Sequence, residues 1–122
     1  MNKLTELKCK ACQSGEAPMS QTEIADLKSE LPDWKIVDIG GVARLEREYK
    51  FDDFAQALAF TNKIGYLAEA EQHHPAILTE WGRVKVSWWT HKVKGLHRND
   101  FIMAAKTDDA VKMEPADMHA YR

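Results

Sequence analysis

The chain has 122 residues and carries 17 Lys and Arg against 19 Asp and Glu, a net charge of −2. With no clustered cations to meet a phosphate backbone, direct nucleic-acid binding is not expected. No apolar run reaches membrane-spanning length and the N-terminus lacks a signal peptide's apolar core. A cytoplasmic enzyme or binding module with no membrane partner is therefore expected, in one domain large enough for its own core.

In chain order, residues 1–19 are mostly polar, include Gly15 and Pro18, and read as a flexible leader. Cys9 and Cys12 lie in it as Cys-Lys-Ala-Cys. They lack both the second ligand pair of a structural zinc site and the preceding strand of a redox motif, so they read as surface thiols. Ser20-Gln21-Thr22-Glu23 forms a capping box for the first helix. Ile24, Leu27 and Leu31 then share one face, and Pro32 prevents continuation. Residues 34–39 read as a short strand and Gly40-Gly41 as a hairpin turn. In the second strand, residues 42–51, Ala43, Leu45, Tyr49 and Phe51 face one way and Arg44, Glu46 and Glu48 the other; Arg47 interrupts the apolar face.

The longest helix runs from about residue 53 to about residue 72, with Asp52 or Asp53 as its cap. Phe54, Ala57, Leu58, Thr61, Ile64 and Ala68 make its apolar stripe. Phe60 and Tyr66 fall off that stripe and point to a second contact surface, such as another subunit. Pro75 disfavours helix at His74, so the helix ends near His73. Residues 76–81 and 83–90 read as strands joined at Trp81-Gly82-Arg83. A third helix starts near His97 or Arg98, carries Phe101, Ile102, Ala104 and Ala105, and fades by about Lys112. The expected class is α+β, ordered α-β-β-α-β-β-α, with a four-stranded antiparallel sheet covered by helices on one face. A single domain over residues 20–112 would lie between the leader, 1–19, and a polar tail, 113–122.

Hairpin geometry gathers the chemistry. His74 is eight residues before Gly82 and His91 nine after it, so the two ends of the hairpin bring His73, His74 and His91 together. Asp100 can return to the same place through the loop containing Gly95. Each residue alone has a plain explanation: imidazoles suit helix C-termini, and a carboxylate suits a first helical turn. Convergence of four titratable groups from three elements points instead to a site. Adjacent residues at a helix end point apart, so His73 and His74 do not readily share a metal ion, and no metal is expected. Proton transfer by imidazoles to and from a small polar substrate fits better. No Ser or Cys stands beside them in a nucleophile motif. Trp89 shares a strand face with His91 and can flank a flat ligand; Trp88 points to the opposite face as packing. Trp81, at the far turn, reads as core or subunit contact.

At these residues the sequence resembles the pterin-4a-carbinolamine dehydratases, with a Cys-x-x-Cys leader similar to that of the bacterial branch. The resemblance runs over Glu69, His73-His74-Pro75, Trp81, Thr90-His91, Gly95-Leu96 and Asp100, and includes Pro32-Asp33-Trp34 and Phe51-Asp52-Asp53-Phe54. It implies dehydration of 4a-hydroxytetrahydropterin to quinonoid dihydropterin and water, recycling the pterin of aromatic amino acid hydroxylases without metal or cofactor. It carries the acid/base roles to His73, His74 and His91, with Glu69 and Asp100 as supports. Pterin contacts would fall at Gln72, His73, His74, Trp89, Thr90, His91 and Lys92, with Trp34 a weaker candidate for the pocket wall. It also implies a homodimer or homotetramer and a functional link to an aromatic amino acid hydroxylase. The competing function is a non-catalytic module for dimerisation, assembly or transcriptional cofactor binding. Two departures stand out: Gln72 replaces an acidic residue often found before the His pair, and His97 stands where Ser or Thr commonly caps the third helix.

Overall fold

The computed structural model describes Leu4–Glu6 and residues 19–112. The first helix, α1 (Gln21–Lys28), begins in the expected capping box: Ser20 and Glu23 each satisfy the other's backbone amide. It ends three residues before Leu31, which is buried in the turn that follows. Strand β1 (Lys35–Ile39) starts one residue later than expected, because the Trp34 amide closes that turn on the Leu31 carbonyl at 3.1 Å. Gly40 and Gly41 both take positive φ, 61° and 84°, and lead tightly into β2 (Val42–Lys50).

A long helix, α2 (Phe54–Glu71), is capped by the Asp53 carboxylate, which accepts from the Gln56 amide at 2.8 Å. Strands β3 (Ala76–Glu80) and β4 (Arg83–Trp88) then turn through Trp81-Gly82, with Glu80 opposite Arg83. The sheet order is β1-β2-β4-β3, antiparallel throughout, and helix α3 (Arg98–Ala110) completes the chain order α-β-β-α-β-β-α. Register places Leu45 opposite Trp88 and Tyr49 opposite Val84, so these residues share the face on which α2 and α3 pack.

The stripe expected on α2 holds at Ala57, Ile64 and Ala68 and fails along its Phe54 and Leu58 edge. Phe54 and Leu58 are exposed, whereas Ala57, Phe60, Ile64, Leu67 and Ala68 are buried. Phe60 is therefore core, not part of a second surface: its ring lies 4.7 Å from Tyr49 and 5.3 Å from Phe51. Burying a Phe or Leu side chain is worth about 1.5–3 kcal/mol, and each aromatic pair adds about 0.5–1.5 kcal/mol. The Phe60 and Leu67 edge therefore wins over the Phe54 and Leu58 edge. Trp81 is 77 % exposed, which removes it from the core.

At the N-terminal end, Leu4–Glu6 form a short 3-10 turn, and Leu4 is buried in the core cluster with α3 residues. Leu4, inside the stretch read as a leader, is thus a core residue. Cys9, Cys12 and the 113–122 tail lie outside the described residues.

Candidate active site

The end of α2 separates the two adjacent histidines. Gln72 adopts a left-handed conformation, φ 54° and ψ 39°, and the His73 amide turns back to the Ala68 carbonyl at 3.2 Å. A non-glycine residue there costs roughly 1–2 kcal/mol. The Gln72 side-chain amide offsets part of that cost by donating to the Glu69 carbonyl at 2.7 Å. The chain then enters β3 with His73 directed inward and His74 outward: the His73 side chain is 12 % exposed, that of His74 58 %.

His73 meets Asp100 through Nε2, 2.6 Å from Oδ1. Asp100 has no exposed surface, and its other oxygen, Oδ2, accepts from the Thr90 hydroxyl at 2.8 Å and the His97 backbone amide at 2.9 Å. With Oδ2 already accepting from two donors, Oδ1 is the oxygen left for His73, and an ionised Asp100 selects the tautomer that carries its proton on Nε2. Beneath the imidazole lies Trp88, with ring planes 8° apart and centroids 5.7 Å apart. Its indole N–H is held by Thr107 of α3 at 3.1 Å. One helix therefore fixes His73 twice, by a hydrogen bond through Asp100 and by a stack through Trp88.

The other expected residues form neighbouring pairs, not a single imidazole cluster. His74 Nε2 lies 2.7 Å from Glu69, one exposed side chain against another. Such a pair contributes about 0–1 kcal/mol, so it orients the ring more than it stabilises the fold. His91, exposed at the turn after β4, packs against Trp89 at 4.9 Å, and Arg44 covers the Trp89 ring at 3.8 Å. Among the described residues neither His73 nor His74 is in ring or hydrogen-bond contact with His91. Nor does any group of three or more His, Cys, Asp or Glu side chains converge as a metal site would. Thr90 is buried with its hydroxyl committed to Asp100, while Lys92 is exposed.

Trp34 is not near this site. It is buried beside Tyr49, and its indole N–H donates to Asp108 of α3 at 3.0 Å. Asp108 also accepts from Arg47 at 2.7 Å and from the Tyr49 hydroxyl. Asp108 is the partner of Arg47, the cation that interrupts the apolar face of β2. The available signal was Asp108 itself, at helical spacing from the buried Phe101, Ala104 and Ala105.

The family model described as pterin 4 alpha carbinolamine dehydratase matches residues 17–110. A relative from Syntrophotalea carbinolica, provisionally named a pterin-4-alpha-carbinolamine dehydratase, is 58% identical over 108 residues, covering 88% of this chain and 96% of its own. One from Microcystis aeruginosa with the same provisional name is 53% identical over 116 residues, covering 95% and 100%. Among solved structures, a transcriptional coactivator/pterin dehydratase from Brucella melitensis superposes with a TM-score of 0.69 at 28% identity, covering 77% of this chain and 98% of that one. A pterin dehydratase-like RuBisCO assembly factor of the alpha-carboxysome shares the fold alone, at 20% identity and a TM-score of 0.56, covering 67% and 93%. The matched model spans most of the chain, and on that basis this protein belongs to the pterin-4-alpha-carbinolamine dehydratase family.

Proposed function

We propose that this chain dehydrates 4a-hydroxytetrahydropterin to quinonoid dihydropterin and water, by histidine acid/base catalysis without metal or cofactor. The supporting observation is the buried pair of His73 and Asp100, in which Nε2 lies 2.6 Å from a carboxyl oxygen and Nδ1 takes no part. In this reading the 4a-hydroxyl leaves as water by accepting a proton from His73 or His74, and a ring nitrogen gives its proton to a second imidazole, His91. Asp100 holds His73, and Glu69 holds His74. Trp89 flanks the pterin beside His91, with Gln72, Thr90 and Lys92 as the remaining contacts carried over from the family.

The reaction is redox-neutral and would return the pterin of an aromatic amino acid hydroxylase to its recycling path. A cytoplasmic homodimer or homotetramer is part of the same proposal. Leu78 and Trp81 on the second hairpin and Phe54 and Leu58 on α2 are apolar and exposed, as subunit contacts require. No helix among the described residues is long and apolar enough to cross a membrane.

A binding module is the second reading, favoured by the fold shared with the RuBisCO assembly factor. Desolvating a carboxylate costs several kcal/mol before compensation, and a scaffold has no use for that expense beneath an imidazole. Breakdown of the 4a-carbinolamine in a coupled hydroxylase assay separates the two. Acceleration by the purified protein supports the dehydratase, and an unchanged spontaneous rate supports the module.

A further inference from the structure

We infer that His97, resting on the dehydratase reading above, is a positioning residue for the pair of His73 and Asp100 and not only a helix cap. Three hydrogen bonds tie it to the first turn of α3. Its Nδ1 accepts from the Asn99 amide at 3.0 Å, its amide donates to Asp100 Oδ2 at 2.9 Å, and its carbonyl accepts from the Asp100 amide at 2.9 Å. The carboxylate closing this capping box is the same one that holds His73 through its other oxygen. Cap and candidate catalytic histidine therefore pull on opposite sides of one buried group.

The His97 side chain holds its own main chain extended, φ −124° and ψ 159°, by accepting from Asn99. That main chain supplies the amide that orients Asp100. Asn99 is 2 % exposed, so water cannot easily replace the acceptor if the imidazole is removed. Loss of the cap should rotate the Asp100 carboxylate and swing His73 off the Trp88 ring. Any N-cap side chain with an acceptor at the same reach should restore it, because the requirement is a lone pair and not a titratable ring.

The test compares wild type with His97→Ala, His97→Gly and His97→Ser. Two readouts are taken: kcat and KM for 4a-hydroxytetrahydropterin breakdown, and the low-field proton resonance of His73 Nε2–H, identified by its absence in His73→Ala. Glycine lacks the acceptor but is tolerated at N-caps, so it reports even if the alanine variant does not fold. Ala and Gly are expected to lower kcat by ~10-fold to ~100-fold with little change in KM, the effect of small misplacement of a reacting group. Both should shift or broaden the resonance, and Ser should restore both signals. Folded Ala or Gly variants with wild-type kcat and an unmoved resonance would overturn the inference, as would a Ser variant no better than Gly. The resonance reads the pair directly, so a wild type without dehydratase activity would sink the functional reading and leave this one to be decided by the spectra.

Discussion

The imidazole of His73 lies parallel to the indole of Trp88, 8° between planes, while its Nε2 meets the fully buried Asp100 at 2.6 Å. Ring plane and tautomer are thus set by separate groups. Asp100→Asn separates them experimentally. The amide keeps an oxygen for Thr90 and His97 but turns N–H toward His73, moving the imidazole proton to Nδ1. Activity is expected to fall by ~10²–10⁴ with the fold retained, as when a triad carboxylate becomes an amide. A folded variant with wild-type turnover would remove Asp100 from the account.

Asp108 anchors the C-terminal half of α3 as Asp100 anchors its start. Eight residues at ~1.5 Å rise put the two carboxylates ~12 Å apart along the helix. Asp108→Ala strands the indole of Trp34 and the Tyr49 hydroxyl and leaves the Arg47 guanidinium only Asp33, at 3.7 Å. A loss of about 2–4 kcal/mol in chemical unfolding is expected, with the His73 Nε2–H resonance unmoved. A loss below about 0.5 kcal/mol would mean that water serves these donors equally well.

Tyr49 gives this region a pH signature. Burial, and next its hydrogen bond to Asp108, push the phenol well above its ordinary value, and Arg47 opposes this in part. Unfolded, the phenol ionises near pH ~10, so above that pH the folded chain retains a proton that the unfolded chain releases. Its contribution is whole below pH ~10 and is lost as the pH rises further. The fall in stability at alkaline pH should be shallower for Tyr49→Phe than for wild type; parallel curves would contradict this assignment.

The Gly40-Gly41 turn is conformational in origin, since a Cβ at either position would meet nothing within 4 Å. Alanine at either site is expected to cost about 1–2 kcal/mol through positive φ alone. Asparagine should cost less, because it enters the left-handed region more readily. Equal losses for Ala and Asn in thermal unfolding would point to a cause other than φ.

The element order was legible because each boundary carries a strong local signal: the Ser20–Glu23 box, Gly40-Gly41, Asp53 and Pro75. One edge of the α2 stripe was not. Apolar residues lie nearly all round the helix, and only the partners Tyr49 and Phe51 select Phe60 over Phe54. Convergence of the hairpin ends was also readable, but three imidazoles in one cluster was too coarse. Extending the pairing of Ile77 with Val86 places His73 opposite Thr90, on the face that carries Trp88. That parity would have put His73 with Asp100 and assigned His91 and Trp89 to the other face. Helical spacing places Asp108 on the buried side of α3, but nothing local foretells its donors, which come from segments far apart in sequence.

If the proposed dehydratase function holds, His73, held by Asp100, transfers a proton during the reaction. The most direct measurement is 4a-carbinolamine breakdown in a coupled hydroxylase assay at mildly alkaline pH, where spontaneous loss of water is slow, with wild type and His73→Ala side by side. Strong acceleration by wild type and a drop of ~10²–10⁴ in the variant are expected. A folded His73→Ala protein that accelerates breakdown as well as wild type would contradict this role of His73.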